Sequence, residues 1–409
     1  MKILVISHVF SPNIVGGAEA CAYNFARGLS AKGHEVSVLT IAEPEEKETW
    51  DEISPEGFRI IRLRIPRAFT PYAASKGKIS PTRLQWKIWN LQDYIDPRGP
   101  KMIKKVLSIV RPDHIDIHSL TGFGFNSLPA MRGYSVTWYL HDPALACTQG
   151  IMFRKGKACS GQCRMCAIVS HVRSKFMNKL KRLAFLSPSR SNLERVQKYI
   201  EAARKSPGFV VPNVPDPLPP DLPSYRPDPD GALRILFVGR LIPAKGLECV
   251  LAALEQLADQ YKFTLTILGE GSEEDKLKAR YGRYAWARFE GFVSQDMVSR
   301  AVATHDLVCT PSLWPEPYGR VTAQALQLGT PVFGSDHGGT AELVRHEETG
   351  LLLPAGNVEA WKNAFLRILT SPHELSAWRE NAGKYMSAFD QNAILAQYES
   401  AVQSTASGA

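Results

Sequence analysis

No stretch of this 409-residue chain is apolar for long enough to span a bilayer. The opening MKILVISHVF has one Lys before a short apolar run, which Ser7, His8 and Pro12 interrupt, so the pattern of a cleaved export signal is missing. A cytoplasmic location, with or without peripheral attachment to a membrane, is therefore the expectation. Cysteine is sparse: seven residues, an odd count that argues against a secreted disulfide framework. No G-x-G-x-x-G follows the first apolar strand, which removes the fingerprint of an NAD-dependent oxidoreductase. Acid is scarce in the first half. Residues 1–215 hold 32 Lys and Arg against 16 Asp and Glu, a net of +16, whereas residues 216–409 hold 17 against 24, a net of −7. Residues 151–200 carry 12 basic residues and a single acid, Glu194. These cations are not interleaved with a stacking aromatic platform and no recognition motif accompanies them, so nucleic acid is not the expected partner.

What is present is a repeated alternation of strand and helix. KILVIS, HEVSVLT, FRIIRLR, DHIDIHS and SVTWYLHD read as buried strands, with a helix from Ala18 to Ala31 after the first. Residues Pro212 to Gly231 then hold eight prolines and read as a semi-rigid linker. The pattern restarts with LRILFVG, FTLTILG, a run around Arg288–Val293, DLVCTPS and TPVFGS. The reading is α/β, with residues 1–215 and 232–386 as two doubly wound, Rossmann-like domains. Residues 216–231 link them, and residues 387–409 form a polar-faced helix, expected to pack back on the first domain, with a frayed STASGA tail.

Chemistry concentrates at strand ends in the second domain. Gly239 and Arg240 close one strand, and Lys245 follows before a helix. A guanidinium fork and a compact ammonium suit a diphosphate, although a solvated turn would look the same. Trp314-Pro315-Glu316-Pro317-Tyr318-Gly319-Arg320-Val321 opens a helix, where unpaired amides at Gly319, Arg320 and Val321 would favour an anion. Glu316 there is an acceptor for sugar hydroxyls or, on a plainer reading, a partner of the helix dipole. Asp336-His337-Gly338-Gly339, Gly269-Glu270-Gly271 and Gly291-Phe292-Val293 form further turns where backbone can lie against a nucleobase, although each is also an ordinary strand-end turn.

The ordered set VGRLIPAKG, ILGEG, EGFV, PSLWPEPYGRVTAQAL, TPVFGSDHGG and ETGLLLP resembles the C-terminal domain of retaining glycosyltransferases of family four. FSPNIVGGAEACAYNFARGLSAKGHEVSVLT resembles the opening of their acceptor domain, and VVPNVPD their strand-end asparagine turn. The resemblance runs from Met1 to about Tyr398. It implies a GT-B fold, two Rossmann-like domains facing across a cleft, and transfer of a sugar from a nucleoside-diphosphate sugar to an acceptor hydroxyl. By motif position it implies that Arg240 and Lys245 neutralise the diphosphate, Glu316 holds the transferred sugar, and the Gly319, Arg320 and Val321 amides complete the cradle. Gly16 and Gly17 would approach the donor, Gly269, Gly271, Phe292 and Val293 would line its nucleoside, and His141 would stand as the cleft histidine. No metal is implied in catalysis. The family carries a second glutamate eight residues after the first; here that position is Gln324, which puts nucleotide affinity or identity in question more than the reaction.

Several readings stay open at this level. The acceptor is lipid-linked, in cell-surface polysaccharide or glycolipid synthesis, or is another anionic molecule such as a small sugar phosphate; a non-catalytic nucleotide-sugar binder is the reading from another class. His171 to Leu183 sets Val172, Phe176, Leu180 and Leu183 at helical spacing among six basic residues, counting His171. That suits an interfacial helix on an anionic membrane, or a half-buried helix with a solvated rim. Cys147, Cys159, Cys163 and Cys166 are spaced to hold a structural Zn2+, or to form a redox-sensitive pair, or to stand unligated.

Overall fold

The computed structural model describes residues 1–65, 67–386 and 389–407. The chain divides into two compact units. The first comprises residues 1–150, 162–214 and 391–409; the second comprises residues 151–161 and 215–390.

In the first unit the strands are β1 (Lys2–Ile6), β2 (Glu35–Ile41), β3 (Thr49–Ile53), β4 (Arg59–Leu63), β5 (His114–Ile117) and β6 (Ser135–Tyr139). A small antiparallel hairpin follows, β7 (Phe153–Arg154) and β8 (Lys157–Ala158), which belongs to the second unit. The first unit then resumes with β9 (Arg182–Ser187) and β10 (Gly208–Val210). Its eight strands are ordered β10-β9-β6-β5-β1-β2-β4-β3. Pairing is parallel throughout except at the edge, where β3 runs antiparallel to β4. Successive side chains of a strand point to opposite faces. Leu4 and Ile6 accordingly join one core cluster, while Ile3 and Val5 join the other. Both faces are covered, which is why these strands read as continuous apolar runs.

The second unit has a six-stranded parallel sheet, ordered β13-β12-β11-β14-β15-β16. Its strands are β11 (Leu233–Val238), β12 (Phe263–Leu268), β13 (Ala287–Gly291), β14 (Leu307–Thr310), β15 (Val332–Ser335) and β16 (Gly350–Leu353). Ile235 and Phe237 go to one core, Leu236 and Val238 to the other side.

Three details depart from the sequence reading. Residues 171–183 are not one helix. The helix Arg164–Met177 ends, and Arg182 and Leu183 enter β9, so Leu180 and Leu183 are core residues at 9% and 7% exposure. Residues 151–161, expected inside the first domain, pack with the second through Phe153, which shares an apolar cluster with Ala244 and Trp314. The C-terminal helix Gln391–Ser407 continues through most of the STASGA segment, with Thr405 buried and its hydroxyl donating to the Ala401 carbonyl at 2.7 Å. Residues 387, 388, 408 and 409 of the expected C-terminal segment lie outside the described residues. That helix places Ile394, Leu395, Tyr398 and Val402 in the cluster with Phe25 and Tyr139, within the first unit. A Cβ on Gly28 would come within 2.8 Å of Leu395 Cδ1, so glycine there permits close helix packing.

Candidate active site

In the second unit, functional groups gather on loops that follow the carboxyl ends of β11, β14 and β15. After Val238 the chain passes through Gly239 and Arg240 into a tight turn, Pro243–Lys245, and then Gly246 in the left-handed region (φ 69°). A Cβ on Gly246 would sit 2.0 Å from the Pro311 carbonyl oxygen, so glycine lets this turn lie against the 311–316 loop. The approach brings Lys245 Nζ to Glu316 Oε1 at 2.8 Å. Ser312 Oγ donates to the same carboxylate oxygen. His337 Nε2 bonds the Ser312 carbonyl at 2.9 Å, tying in the turn after β15. In that turn the Gly339 amide donates to the Glu316 carbonyl at 2.7 Å, and a Cβ on Gly338 (φ 66°) would fall 2.6 Å from that oxygen.

Glu316 is 14% exposed at its side chain and Lys245 22%. Burial pushes the Glu316 carboxyl up, but the Lys245 charge and hydrogen bond, the Ser312 hydroxyl and the charge of His337 outweigh it. The net effect holds Glu316 below the usual carboxylate range. Glu316 is therefore an ionised acceptor at neutral pH. Gly319 (φ 86°) begins the helix Arg320–Gln327, whose first-turn amides lack intrahelical acceptors. Gly319 and Val321 line one recess of about 260 Å³ with Lys245, Ser312 and Glu316. An anion bound there would meet an ammonium and the positive end of a helix.

Other expected residues lie around this recess or away from it. Arg240 is exposed, on the same loop as Lys245. The Arg320 guanidinium is committed to Asp216. The Gly269–Gly271 turn is fastened to its neighbours by backbone bonds: Leu241 N–H to Glu270 O at 2.8 Å, and Gly269 N–H to Gly291 O at 2.7 Å. Phe292, at the end of β13, leaves its ring 75% exposed. Val293 beside it packs into the apolar cluster. Gln324 turns onto the helix Gln295–Thr304 and is 8% exposed. Its Nε2 donates to Ser299 Oγ at 2.9 Å, and its Oε1 accepts from Gln295 Nε2 at 3.2 Å.

The first unit carries a second hollow, of about 990 Å³, at the ends of β5 and β6. His141 lines it with His8, Glu19, His118, Asp142 and Arg173. Behind His141 runs a buried array that sequence reading missed. His141 Nε2 lies 2.7 Å from His118 Nδ1, and His118 Nε2 lies 3.1 Å from Asp116 Oδ2. Thr137 Oγ1 donates to the other Asp116 oxygen at 2.8 Å. Asp116 is fully buried. Burial alone would raise its carboxyl, yet the charge and hydrogen bond of His118, the charge of His114 and the Thr137 hydroxyl together hold it below the usual range. An ionised Asp116 fixes a proton on His118 Nε2, so one orientation of the chain through His141 is favoured. Gly16 precedes the helix Gly17–Ala31; its amide donates to Glu19 Oε2 at 2.8 Å, which sets the carboxylate in the hollow's wall.

The cysteine expectation needs correction. Cys147 and Cys166 are buried, whereas Cys159 and Cys163 are exposed. Among the described residues no group of three or more His, Cys, Asp or Glu side chains converges as a metal site, so the Zn2+ reading is not supported. The 151–161 segment is anchored by Phe153, packed with Ala244 and Trp314.

Residues 15–214 match the family model described as Glycosyltransferase Family 4, and residues 226–385 match the model described as Glycosyl transferases group 1. The chain is a family-four-like glycosyltransferase with the GT-B fold. It is 25% identical over 377 residues to an uncharacterized glycosyltransferase of Methanocaldococcus jannaschii, covering 88% of this chain and 87% of that one. It is 24% identical to the phosphatidyl-myo-inositol mannosyltransferase of Mycolicibacterium smegmatis, covering 98% and 93%. Among solved structures it is similar to the sucrose-phosphate synthase of Thermosynechococcus elongatus, with a TM-score of 0.74, 19% identity and coverage of 100% and 99%. It is also similar to the Anabaena protein HepE in complex with UDP and glucose, with a TM-score of 0.67, 18% identity and coverage of 99% and 100%.

Proposed function

We propose that the protein transfers a sugar, with retention of configuration, from a nucleoside-diphosphate sugar to an acceptor hydroxyl. The observation that carries this reading is the Lys245–Glu316 pair, set at 2.8 Å in one recess with Gly319 and Val321. An ammonium and helix amides meet the diphosphate, and the ionised Glu316 accepts hydroxyl hydrogens of the transferred sugar. Arg240, exposed on the same loop, closes on the diphosphate as a fork. The open ring of Phe292 and the Gly269–Gly271 backbone flank the base, while Val293 supports that turn from the core. Gln324 serves the ribose pocket through the second lone pair of Oε1, the first accepting from Gln295 while one amide hydrogen goes to Ser299.

In the reaction the bond between the anomeric carbon and the β-phosphate oxygen breaks, and its electron pair leaves with the phosphate. The acceptor oxygen bonds the same face of that carbon, and its proton passes to the departing phosphate. Negative charge grows on the leaving group, so preorganised cations and amides there supply the main stabilisation. This assignment needs no protein base. His141, with Gly16 and Gly17, serves the sugar and acceptor side. The net charge of +16 in residues 1–215 favours an anionic acceptor, lipid-linked in cell-surface polysaccharide or glycolipid synthesis, or a phosphorylated sugar.

A thermal-shift screen across nucleotide sugars, followed by a transfer assay with the best stabiliser, tests the reading. Arg240→Ala is expected to lower kcat by at least about tenfold. Turnover near that of the native enzyme would remove Arg240 from the site, and no stabilisation by any nucleotide sugar would remove the donor assignment.

A further inference from the structure

The helix Arg83–Ile95 has one buried side and, opposite it, an exposed apolar one. One faces inward: Trp89 is 2% exposed and Asp93 6%, with Trp89 Nε1 donating to the Phe69 carbonyl at 3.0 Å and Asp93 paired to Arg67 at 2.8 Å. The other side carries Leu84, Ile88, Leu91 and Ile95, which are 66%, 51%, 55% and 63% exposed. Their spacing of four, three and four residues lines them along one stripe of the helix, away from the buried stripe. Surface leucines and isoleucines scattered singly need no explanation, but four in register on one helix do.

The neighbouring helix Arg164–Met177 repeats the feature, with Met165 and Ile168 both 61% exposed. The two helices meet where Arg173 Nε donates to the Tyr94 hydroxyl at 3.0 Å and Phe176 lies 6.3 Å from the Tyr94 ring.

Charge identifies what covers this face. The exposed charges of the 83–95 helix are Arg83 and Lys87, both cationic. Residues 81–111 hold seven Lys and Arg against two acids, Asp93 and Asp96. Asp93 and Asp96 are each paired to an arginine at 2.8 Å. An apolar stripe edged along one flank by Arg83 and Lys87 fits a surface that is apolar below and anionic above. We propose that this face docks on an anionic bilayer, the 83–95 helix lying in the interface with its stripe toward the acyl chains and its cations among the headgroups. Pairing with a second copy would bring two cationic rims together, which like-charge repulsion opposes. No helix among the described residues is long and apolar enough to cross a membrane, so the helix lies on the bilayer and does not span it. The inference rests on the proposed transferase reading for its purpose, delivery of a lipid-linked acceptor, and its test is independent of catalysis.

The test floats the full-length protein with vesicles of phosphatidylcholine, with or without phosphatidylglycerol. Native protein is expected to float several-fold more on the anionic vesicles, with binding that weakens as salt is added. The triple substitution Leu84→Ser, Ile88→Ser, Leu91→Ser is expected to cut flotation at least about fivefold, with Tm unchanged because all three side chains are exposed. If that variant does not fold, Arg83→Glu with Lys87→Glu serves instead and is expected to abolish the preference for phosphatidylglycerol. Equal flotation of native and substituted protein overturns the proposal, as does equal flotation on neutral and anionic vesicles. Self-association in sedimentation that the triple substitution relieves also overturns it, in favour of a second copy. Nucleotide-sugar thermal shifts on the same samples report separately on the transferase reading, so failure of one leaves the other standing.

Discussion

The two units build their recesses from different material. In the second, main chain dominates: Gly246 and Gly338 let loops touch, Gly319 and Val321 at a helix start line the recess, and a few side chains finish it. In the first, side chains on adjacent strands dominate: Asp116 and His118 from the β5 end reach His141 at the β6 end. A backbone cradle is generic to phosphates and tolerates change at many positions. A side-chain array is specific and depends on each member. The units also differ in charge, +16 for residues 1–215 against −7 for the remainder, so under the proposed reading an anion would be drawn to the second by its recess and to the first by the field of its whole surface.

The largest effect is expected at Glu316. Glu316→Gln keeps the shape but removes the charge facing Lys245, and kcat is expected to fall about a hundredfold or more, with nucleotide binding retained in a thermal-shift assay. Loss of nucleotide binding instead of turnover would move Glu316 from the sugar to the phosphate.

A second effect separates the first unit by pH. His114 lies in β5 between Ser135 Oγ at 3.0 Å and Thr137 Oγ1 at 2.8 Å, and burial pushes its imidazole down to about 4 despite the nearby Asp116. Below pH 6.5 the unfolded chain takes up a proton that the folded one refuses until about pH 4. Stability from His114 is therefore full above pH 6.5 and lost as pH falls through that window, on the order of 3 kcal/mol in all. Urea unfolding from pH 7 to 4.5 should show this slope, and His114→Asn should flatten it. An unchanged slope would mean that His114 is protonated in the fold.

The smallest effect concerns the array. His118→Asn leaves the recess of the second unit untouched and should lower kcat about tenfold while the donor KM stays constant. The acid limb of the pH–rate profile should shift with it. A fall in kcat with an unmoved profile would assign His118 a packing role only.

Much of this was legible in the sequence, and the exceptions have physical reasons. Strands such as β1 and β11 declared themselves because both faces are covered. The edge strand β3, TWDEI, is half-exposed and carries acids, so no apolar run marks it. Leu180 and Leu183 sit at a spacing that suits a helix, yet Leu183 is in β9; short apolar patterns serve either element. Glu316 and Lys245 could be read from local motif. The Asp116–His118–His141 array could not, because it depends on β5 and β6 being neighbours, and strand order is not written in local pattern. The sequence pair DIH and LHD at two strand ends was the available signal. Gln324 was visible as a departure, but its tie to Ser299 arises from helix packing.

The membership of residues 151–161 and 391–409 carries a practical consequence for dissecting this enzyme. The backbone changes unit four times, after residues 150, 161, 214 and 390. Cutting at the proline-rich segment would strand Phe153 without Ala244 and Trp314, and would strip Tyr398 and Leu395 from Phe25. Neither half of a simple bisection would be a faithful domain; a recombinant first unit must carry the last seventeen-residue helix grafted back, with the hairpin excised.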